Sequence, residues 1–181
     1  MSNQLLSWAI FVVPWLTLVF MKKEDIRRYM PVALLAIVLT TIIHDVGIRF
    51  GFWVVEEAAY PMAEMLPYFY GLIPVLTMWI FRFTNGHILA YVITNIILDI
   101  GFVYSLLGSI FPARGIYALV GITRFQVLLI NLVHFTLLYI YQKWQEGELV
   151  PVMKNLLSPA PQSAAAKPLV RDKDNRNDNK W

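Results

Sequence analysis

The sequence predicts an all-α integral membrane protein, a bundle of five transmembrane helices, on three observations. Of the 181 residues, 58% are hydrophobic and only 15% are charged, whereas a soluble domain is usually about half apolar and about a quarter charged. The charged residues cluster between or after long apolar stretches. Each stretch has the roughly 17–25 residues that a helix needs to cross a hydrocarbon core about 30 Å thick. The stretches are Gln4–Met21, Tyr29–Arg49, Leu66–Phe83, Ile88–Phe111 and Ile116–Gln142.

The first stretch, Gln4–Met21, is predicted to be a retained helix and not a signal peptide. No basic residue precedes it, its uncharged part is too long for a typical signal sequence, and no small-residue cleavage site follows it. We expect residues 1–145 to form the transmembrane domain. Residues 146–181 are expected to form a short amphipathic segment, Leu149–Leu157, and then a polar, disordered cytoplasmic tail from Ser158 onward.

Lysine and arginine are distributed unevenly over the predicted loops, which indicates an orientation because cytoplasmic loops carry the excess of these residues. Six cations lie on one side, in the first loop Lys22–Arg28, at Arg82 and at Lys143. Two cations, Arg49 and Arg114, lie on the other side. Five crossings then place the N-terminus outside the cell and the C-terminus in the cytoplasm.

The outer loop Gly51–Met65 is long enough for a short interfacial helix, and it carries three acidic residues, Glu56, Glu57 and Glu64. One interpretation is a lid or an acidic vestibule. The simpler interpretation is a solvated connection between two helices.

Polar residues embedded in three of the apolar stretches are the main functional signal, because ionisable groups at membrane depth are costly and rare. At about 1.5 Å per residue, Asp99 and Arg124 are expected at similar depths and Asp45 in the outer third. A cluster of Asp45, Arg124 and Asp99 with His44 at its edge is therefore geometrically feasible. The full set of candidates is His44, Asp45, Asn95, Asp99, Arg124, Asn131 and His134.

Helical spacing leaves the pairing within this set open. Asn95 and Asp99 are four residues apart and share a helix face, but Asp45 and Arg49 are also four apart, in the favourable order. If Arg49 pairs with Asp45, an Asp99–Arg124 pair remains. Three interpretations follow: interhelical glue, a solute or proton site, or a catalytic site. Among these residues His44 is the candidate for proton traffic, because it neighbours Asp45 and titrates near neutrality.

Small residues recur every four positions on the fourth stretch, at Gly101, Ser105 and Ser109. Such a stripe lets a neighbouring helix approach closely. It predicts packing within the chain or, as the alternative, a homo-oligomer.

Several kinds of chemistry are not indicated. The chain has no cysteine, and His44, His87 and His134 are too scattered to define a metal site. No phosphate-binding loop, dinucleotide fingerprint or nucleophile elbow occurs. The net charge of +3 is modest and reads as a topology signal, not a nucleic-acid footprint. We therefore expect no metal, no cofactor and no nucleic acid. The expected partners are the lipid bilayer and, as further alternatives, a second copy of the chain or another membrane protein.

A further pattern lies in four segments, Tyr60-Pro61, Tyr68–Pro74, Trp79–Phe83 and Thr94–Asp99. In these segments the chain resembles a family of small, uncharacterised multi-pass membrane proteins of spore-forming Gram-positive bacteria. The resemblance implies a location in the bacterial cytoplasmic membrane and implies no activity.

The sequence thus favours a non-enzymatic membrane protein with a structural or regulatory role through protein or lipid contacts. The first alternative is a small transporter or channel subunit, proton-coupled through the Asp/Arg/His cluster. The second alternative is an intramembrane enzyme that acts on a lipid. A water-filled cavity that reaches Asp99 would favour transport, and a lipid-sized groove that opens sideways near His44 and Glu56 would favour a lipid substrate. A dry, fully packed bundle would favour the structural or regulatory role.

Overall fold

Helices make up most of the computed structural model, which describes residues 2–62, 64–84 and 87–148. The 3₁₀ turn Leu18–Phe20 extends the first helix, and the turn Pro67–Phe69 precedes the third. A π-helix over Phe102–Ile110 makes the fourth and fifth helices one continuous segment. The helices are α1 (Asn3–Thr17), α2 (Lys23–Arg49), α3 (Leu72–Thr84), α4 (Ile88–Gly101), α5 (Phe111–Ala113) and α6 (Arg124–Gln145).

The all-α prediction is confirmed, and among the described residues four helical segments are long and apolar enough to cross a membrane. These are Asn3–Phe20, Lys23–Arg49, Ile88–Ala113 and Arg124–Gln145. The helix α3 has 13 residues and spans about 20 Å, which is less than the hydrocarbon thickness. The prediction of five crossings therefore stays a prediction.

Helix α2 begins at Lys23, which corrects the prediction that Lys22–Arg28 forms a loop. Glu24 and Asp25 occupy the first helical turn. Negative side chains there interact favourably with the positive end of the helix dipole. The polar sequence ahead of Tyr29 is therefore compatible with a helix that continues beyond the apolar stretch.

The predicted interfacial helix in Gly51–Met65 is wrong for the residues described there, because part of that loop is a strand. Strand β1 (Trp53–Val55) pairs antiparallel with β2 (Tyr117–Leu119), with Trp53 opposite Leu119. Tryptophan and valine favour pleated backbone, and the partner strand comes from a loop that is distant in sequence. The resulting two-stranded ribbon joins the chain after α2 to the chain before α6.

Small and large side chains alternate in the core, so that the helices approach closely. Ala33 and Ala36 of α2 are fully buried and belong to one hydrophobic cluster with Met78 and Phe81 of α3. A second buried cluster lies towards the β-ribbon and includes Phe69. Its other fully or nearly fully buried members are Trp53, Leu66, Tyr68, Val103, Leu107, Phe111, Ile116, Tyr117 and Val127.

Ion pairs join three helices at the end of the bundle opposite the ribbon. Arg28 Nη2 lies 2.6 Å from Glu146 Oε1, and Lys143 Nζ lies 2.7 Å from Glu148 Oε2. Arg82 at the end of α3 lies within 3.5 Å of a carboxylate in the first turn of α2. The start of α2 and the ends of α3 and α6 therefore meet at one end, which we call the ion-pair end. The predicted amphipathic segment and tail beyond residue 148 lie outside the described residues.

Candidate functional site

A cavity of about 120 Å³ lies inside the bundle, between α2, α3, α4 and α6 and next to the β-ribbon. Polar side chains from three helices reach it, although most of its wall is apolar. Five of the predicted candidates line it together. The polar lining residues on the helices are Thr40, His44, Asn95, Asp99, Asn131 and His134.

Four of these residues, which we call the polar layer, are Asn95, Asp99, Asn131 and His134. They line the larger cavity, and they also line a second cavity of about 60 Å³. Ile73, Leu76 and Ile80 line both cavities as well, so the two spaces adjoin. The smaller cavity extends to Thr77 and Leu138, and the polar layer lies where the two spaces meet.

Asp99 is the only residue of the polar layer that carries a formal negative charge. Its Oδ1 accepts a hydrogen bond from Nδ2 of Asn131 at 3.3 Å, which is at the long end of the usual range. No cationic side chain within the described ranges pairs with its carboxylate. A carboxylate removed from water and left without a counter-charge is strongly disfavoured, so this group requires a proton or a cation when the cavity is dry.

The two asparagines are held by bonds along and between helices. Nδ2 of Asn95 donates to the carbonyl of Tyr91 at 2.8 Å, one turn earlier in α4. Tyr91 in turn donates its hydroxyl to the carbonyl of Phe135 in α6 at 2.9 Å. The bond from Tyr91 to Phe135 links α4 to α6 and holds Asp99 of α4 beside α6.

His134 has a buried ring nitrogen that lacks a hydrogen-bond partner. Its ring lies near the backbone carbonyl of Ala36, yet its Nε2 makes no hydrogen bond. Buried polar atoms without a partner are uncommon in native proteins. The unsatisfied Nε2 therefore marks a place where a water molecule or a ligand group can bind.

His44 is fixed at the ribbon end of the cavity and is 3% exposed. Its Nε2 lies 2.8 Å from the carbonyl oxygen of Glu64, and because a carbonyl can only accept, Nε2 carries the proton. Its ring stacks on Trp53 at 6.1 Å and meets Phe69 edge-on at 4.7 Å. These contacts indicate that His44 holds the loop after β1 onto α2.

Two predicted members of the cluster, Asp45 and Arg124, lie outside the cavity, and this corrects the expected Asp45–Arg124–Asp99 arrangement. Asp45 is exposed and pairs with Arg49 at 3.0 Å, because consecutive helical residues point about 100° apart and His44 takes the inward direction. Arg124 is also exposed; its Nη2 donates to the carbonyl of Gly108 at 3.0 Å. An Asp99–Arg124 pair does not form.

The position of Arg124 has a specific cause. The fifth apolar stretch does not begin as a helix, because β2 occupies its start and Thr123 then caps α6 with a capping box to Gln126. Arg124 is thus the first residue of α6 and lies at the ribbon end, not two or three turns below it. There its guanidinium lies over the ring of Tyr104 at 5.6 Å.

The three acidic residues of the outer loop do not act together. Glu57 accepts hydrogen bonds from the side-chain amides of Asn3 at 2.5 Å and Gln4 at 3.4 Å, which attaches the start of α1 to the loop. Glu56 and Glu64 are exposed. The contacts of Glu57 fit the interpretation of a connector better than that of a lid.

The small-residue stripe does not pack within the chain, which corrects the first interpretation of it. Gly101, Ser105 and Ser109 are exposed, and a methyl group added at Gly101 would meet no atom within 4 Å. The opposite face of the segment is the buried one, at Val103 and Leu107. The alternative, a homo-oligomer, stays a prediction.

Some cavity residues were not among the sequence candidates. Thr40 is one turn from His44 on α2, so its spacing was an available signal. Tyr68 and Tyr117 also line the cavity, but they come from the turn before α3 and from β2, and only the tertiary fold brings them there. The apolar majority of the lining carries no sequence signal that separates it from ordinary core.

Comparison with protein-family models, with curated proteins and with solved structures finds no match for this chain. The cavity and its polar residues are therefore the basis for assigning a function.

Proposed function

We propose that this chain is a multi-pass protein of the cytoplasmic membrane that binds a small cationic solute or a proton at Asp99, as a small transporter or channel subunit. The observation that carries this proposal is the Asp99 carboxylate, which lines an internal cavity whose lining, among the described residues, includes no lysine or arginine. A site with one acid, two amides and two imidazoles offers several acceptor atoms and one negative charge, and it attracts a hydrogen-bond donor with positive charge.

The membrane location is supported by the four segments of spanning length and by the exposed apolar side chains around them. Five crossings are supported by the course of α3, which runs from the ribbon end to the ion-pair end, opposite in direction to α2 and α4. With α3 counted, the cations Arg28, Arg82 and Lys143 share one end. By the positive-inside rule that end is cytoplasmic, so the N-terminus is outside.

The polar layer supports transport over mere binding. A carrier or channel needs a site near the middle of the membrane with space around it for the solute, and the polar layer lines two adjoining cavities of about 120 Å³ and about 60 Å³. A cation that neutralises Asp99 within this layer removes the cost of the buried charge, which is the source of the binding energy.

A structural role is the second candidate, and the bond from Asn131 to Asp99 favours it. This bond links α4 to α6, and such interhelical bonds are worth about 1 kcal/mol in membranes. In that case the charge itself has no function. The two candidates therefore differ in what happens when the charge is removed and the bond is kept.

The substitution Asp99→Asn makes this distinction, because the amide oxygen can still accept from Asn131 while the charge is lost. The probe is radiolabelled methylammonium, measured by equilibrium dialysis against the full chain in lipid nanodiscs. Asp45→Asn is the matched control, since it is the same chemical change at an exposed position on α2. We expect the wild type and Asp45→Asn to bind methylammonium and Asp99→Asn to lose the binding.

Two results would overturn the proposal. In the first, the wild type binds no methylammonium and the Asp99 carboxylate also takes up no proton, as judged by comparison with Asp99→Asn. Alternatively, Asp99→Asn could bind as the wild type does. Either result leaves the structural role as the better account of the Asp99–Asn131 bond.

A further inference from the structure

An apolar groove of about 420 Å³ runs along the outside of the bundle between α2 and α6. Its lining contains no charged residue. Ile42 and Val133 on its two sides are exposed by 54% and 60%, so the groove faces outward. The lining residues are Leu39, Ile42, Ile43, Leu129, Ile130, Val133, His134 and Leu137.

The groove and the internal cavity share part of one wall. Ile43 of α2 and Ile130 and His134 of α6 line both spaces. His134 is also the residue whose buried Nε2 lacks a hydrogen-bond partner. A polar site that contains Asp99 and an outward-facing apolar groove are therefore separated by three side chains.

The chemistry on the two sides of this wall differs in a defined way. On the inner side, Asp99 and His134 offer atoms that can accept hydrogen bonds, and the acid attracts positive charge. On the outer side, the groove offers only contacts suited to a hydrocarbon chain. One ligand satisfies both sides: an amphiphile with an ammonium head and an alkyl tail.

We infer that the ligand of the Asp99 site is an amphiphilic ammonium compound whose alkyl chain lies in the groove between α2 and α6 and whose head passes His134 to reach the carboxylate. This inference rests on the proposed cation site at Asp99 and adds the ligand class and the lateral route. A helix from a second copy could cover the groove, but it would leave His134 Nε2 without a hydrogen-bond partner and Asp99 without a counter-charge.

The test uses displacement of radiolabelled methylammonium from the full chain in nanodiscs, with methylammonium and decylammonium as competitors. Val133→Trp fills the groove from its edge. Leu132→Trp is the matched control, because Leu132 is the preceding residue on α6, is also exposed, and does not line the groove. Both competitors are measured in the same bilayer, so that partition of decylammonium into lipid affects all variants equally.

We expect Val133→Trp to raise the half-displacing concentration of decylammonium by roughly five-fold. The effect is modest because the displaced alkyl tail remains in lipid and is not exposed to water, so that it loses only its packing contacts with the groove. The half-displacing concentration of methylammonium should not change, which also shows that Val133→Trp is folded. Leu132→Trp should behave as the wild type with both competitors.

The outcomes separate the two proposals. If methylammonium is not bound by the wild type, the cation site itself fails. If it is bound, but Val133→Trp and Leu132→Trp affect decylammonium equally, the groove is not the tail site and this inference is overturned. The inference is also overturned if Val133→Trp leaves decylammonium unchanged and converts an oligomer to a monomer, because the groove is then a helix-docking face.

Discussion

Arg124 at the start of α6 is in close contact with Gly108 on the π-helix. The Nη2 atom of Arg124 donates to the Gly108 carbonyl at 3.0 Å, and a methyl group at position 108 would lie 2.8 Å from Nε of Arg124. The missing side chain at Gly108 therefore makes room for the guanidinium. The contact ties α6 to the segment before β2 at the ribbon end, and it explains why an arginine in an apolar stretch does not enter the cavity.

Gly108→Ala should destabilise the protein by about 1–3 kcal/mol, because the added methyl group meets both the guanidinium and the carbonyl oxygen of Val103 at 2.9 Å. The measurement is the free energy of unfolding in detergent solution. Gly101→Ala is the control on the same segment, and its methyl group meets nothing within 4 Å. It should be neutral or stabilising by up to about 1 kcal/mol. Equal effects at the two glycines would refute the packing argument.

His44→Ala should destabilise the protein by about 2–4 kcal/mol. The change leaves a void beside Trp53 and Phe69 and leaves the Glu64 carbonyl without its donor. His44→Gln should recover part of the loss, because its Nε2 can donate to the same carbonyl. Unfolding free energies of the three proteins test this. A stable His44→Ala variant would mean that the loop is held by other contacts.

Helical periodicity was sufficient to group most of the site. Asn95 and Asp99 are one turn apart, and their shared face is the one that lines the cavity. On α6, Asn131 and His134 also line the cavity. These relations depend only on the geometry of single helices, so the sequence contains them, and the all-α class follows from the same local information.

The errors arose where the chain departs from a simple helical run. The stretch that begins at Ile116 contains a strand, and this moves Arg124 to a helix start. The pairing of Trp53 with Leu119 joins positions far apart in the sequence, and no local sequence pattern predicts it. Whether Asp45 pairs with Arg49 or with Arg124 likewise depended on where α6 begins.

Glu146 should contribute a part of the stability that is lost in acid. Burial alone would raise the pKa of its carboxyl, but hydrogen bonds from Gln142 and Arg28 and the charges of Arg28 and Lys143 outweigh this, so that its pKa lies below the ordinary 4.5. A carboxyl whose pKa is lower in the folded state stabilises above its unfolded pKa, and this contribution disappears as the pH falls through the folded pKa.

The measurement is the unfolding midpoint of the wild type and of Glu146→Gln from about pH 7 to about pH 3. Glu146→Gln should be less stable at neutral pH, by about 1 kcal/mol, and should lose less stability below about pH 4.5 because it has no charge there to lose. Glu148→Gln is the control, since Glu148 is more exposed and pairs only with Lys143 among the described residues. Parallel pH curves for the wild type and Glu146→Gln would contradict the assignment.

Asp99→Asn should make the protein more stable, by about 1–2 kcal/mol, although it abolishes the proposed binding. The amide keeps the bond from Asn131, while the cost of an unpaired carboxylate in the cavity disappears. A gain in stability together with a loss of binding is the signature of a functional group that the fold tolerates at a cost. The unfolding free energy in nanodiscs, measured without added amines, tests this.

Asp45→Asn is the control and should instead lose a few tenths of a kcal/mol, about the contribution of an exposed ion pair with Arg49. If Asp99→Asn is less stable than the wild type, groups within the bundle already stabilise the carboxylate, and Asp99 does not need a bound cation.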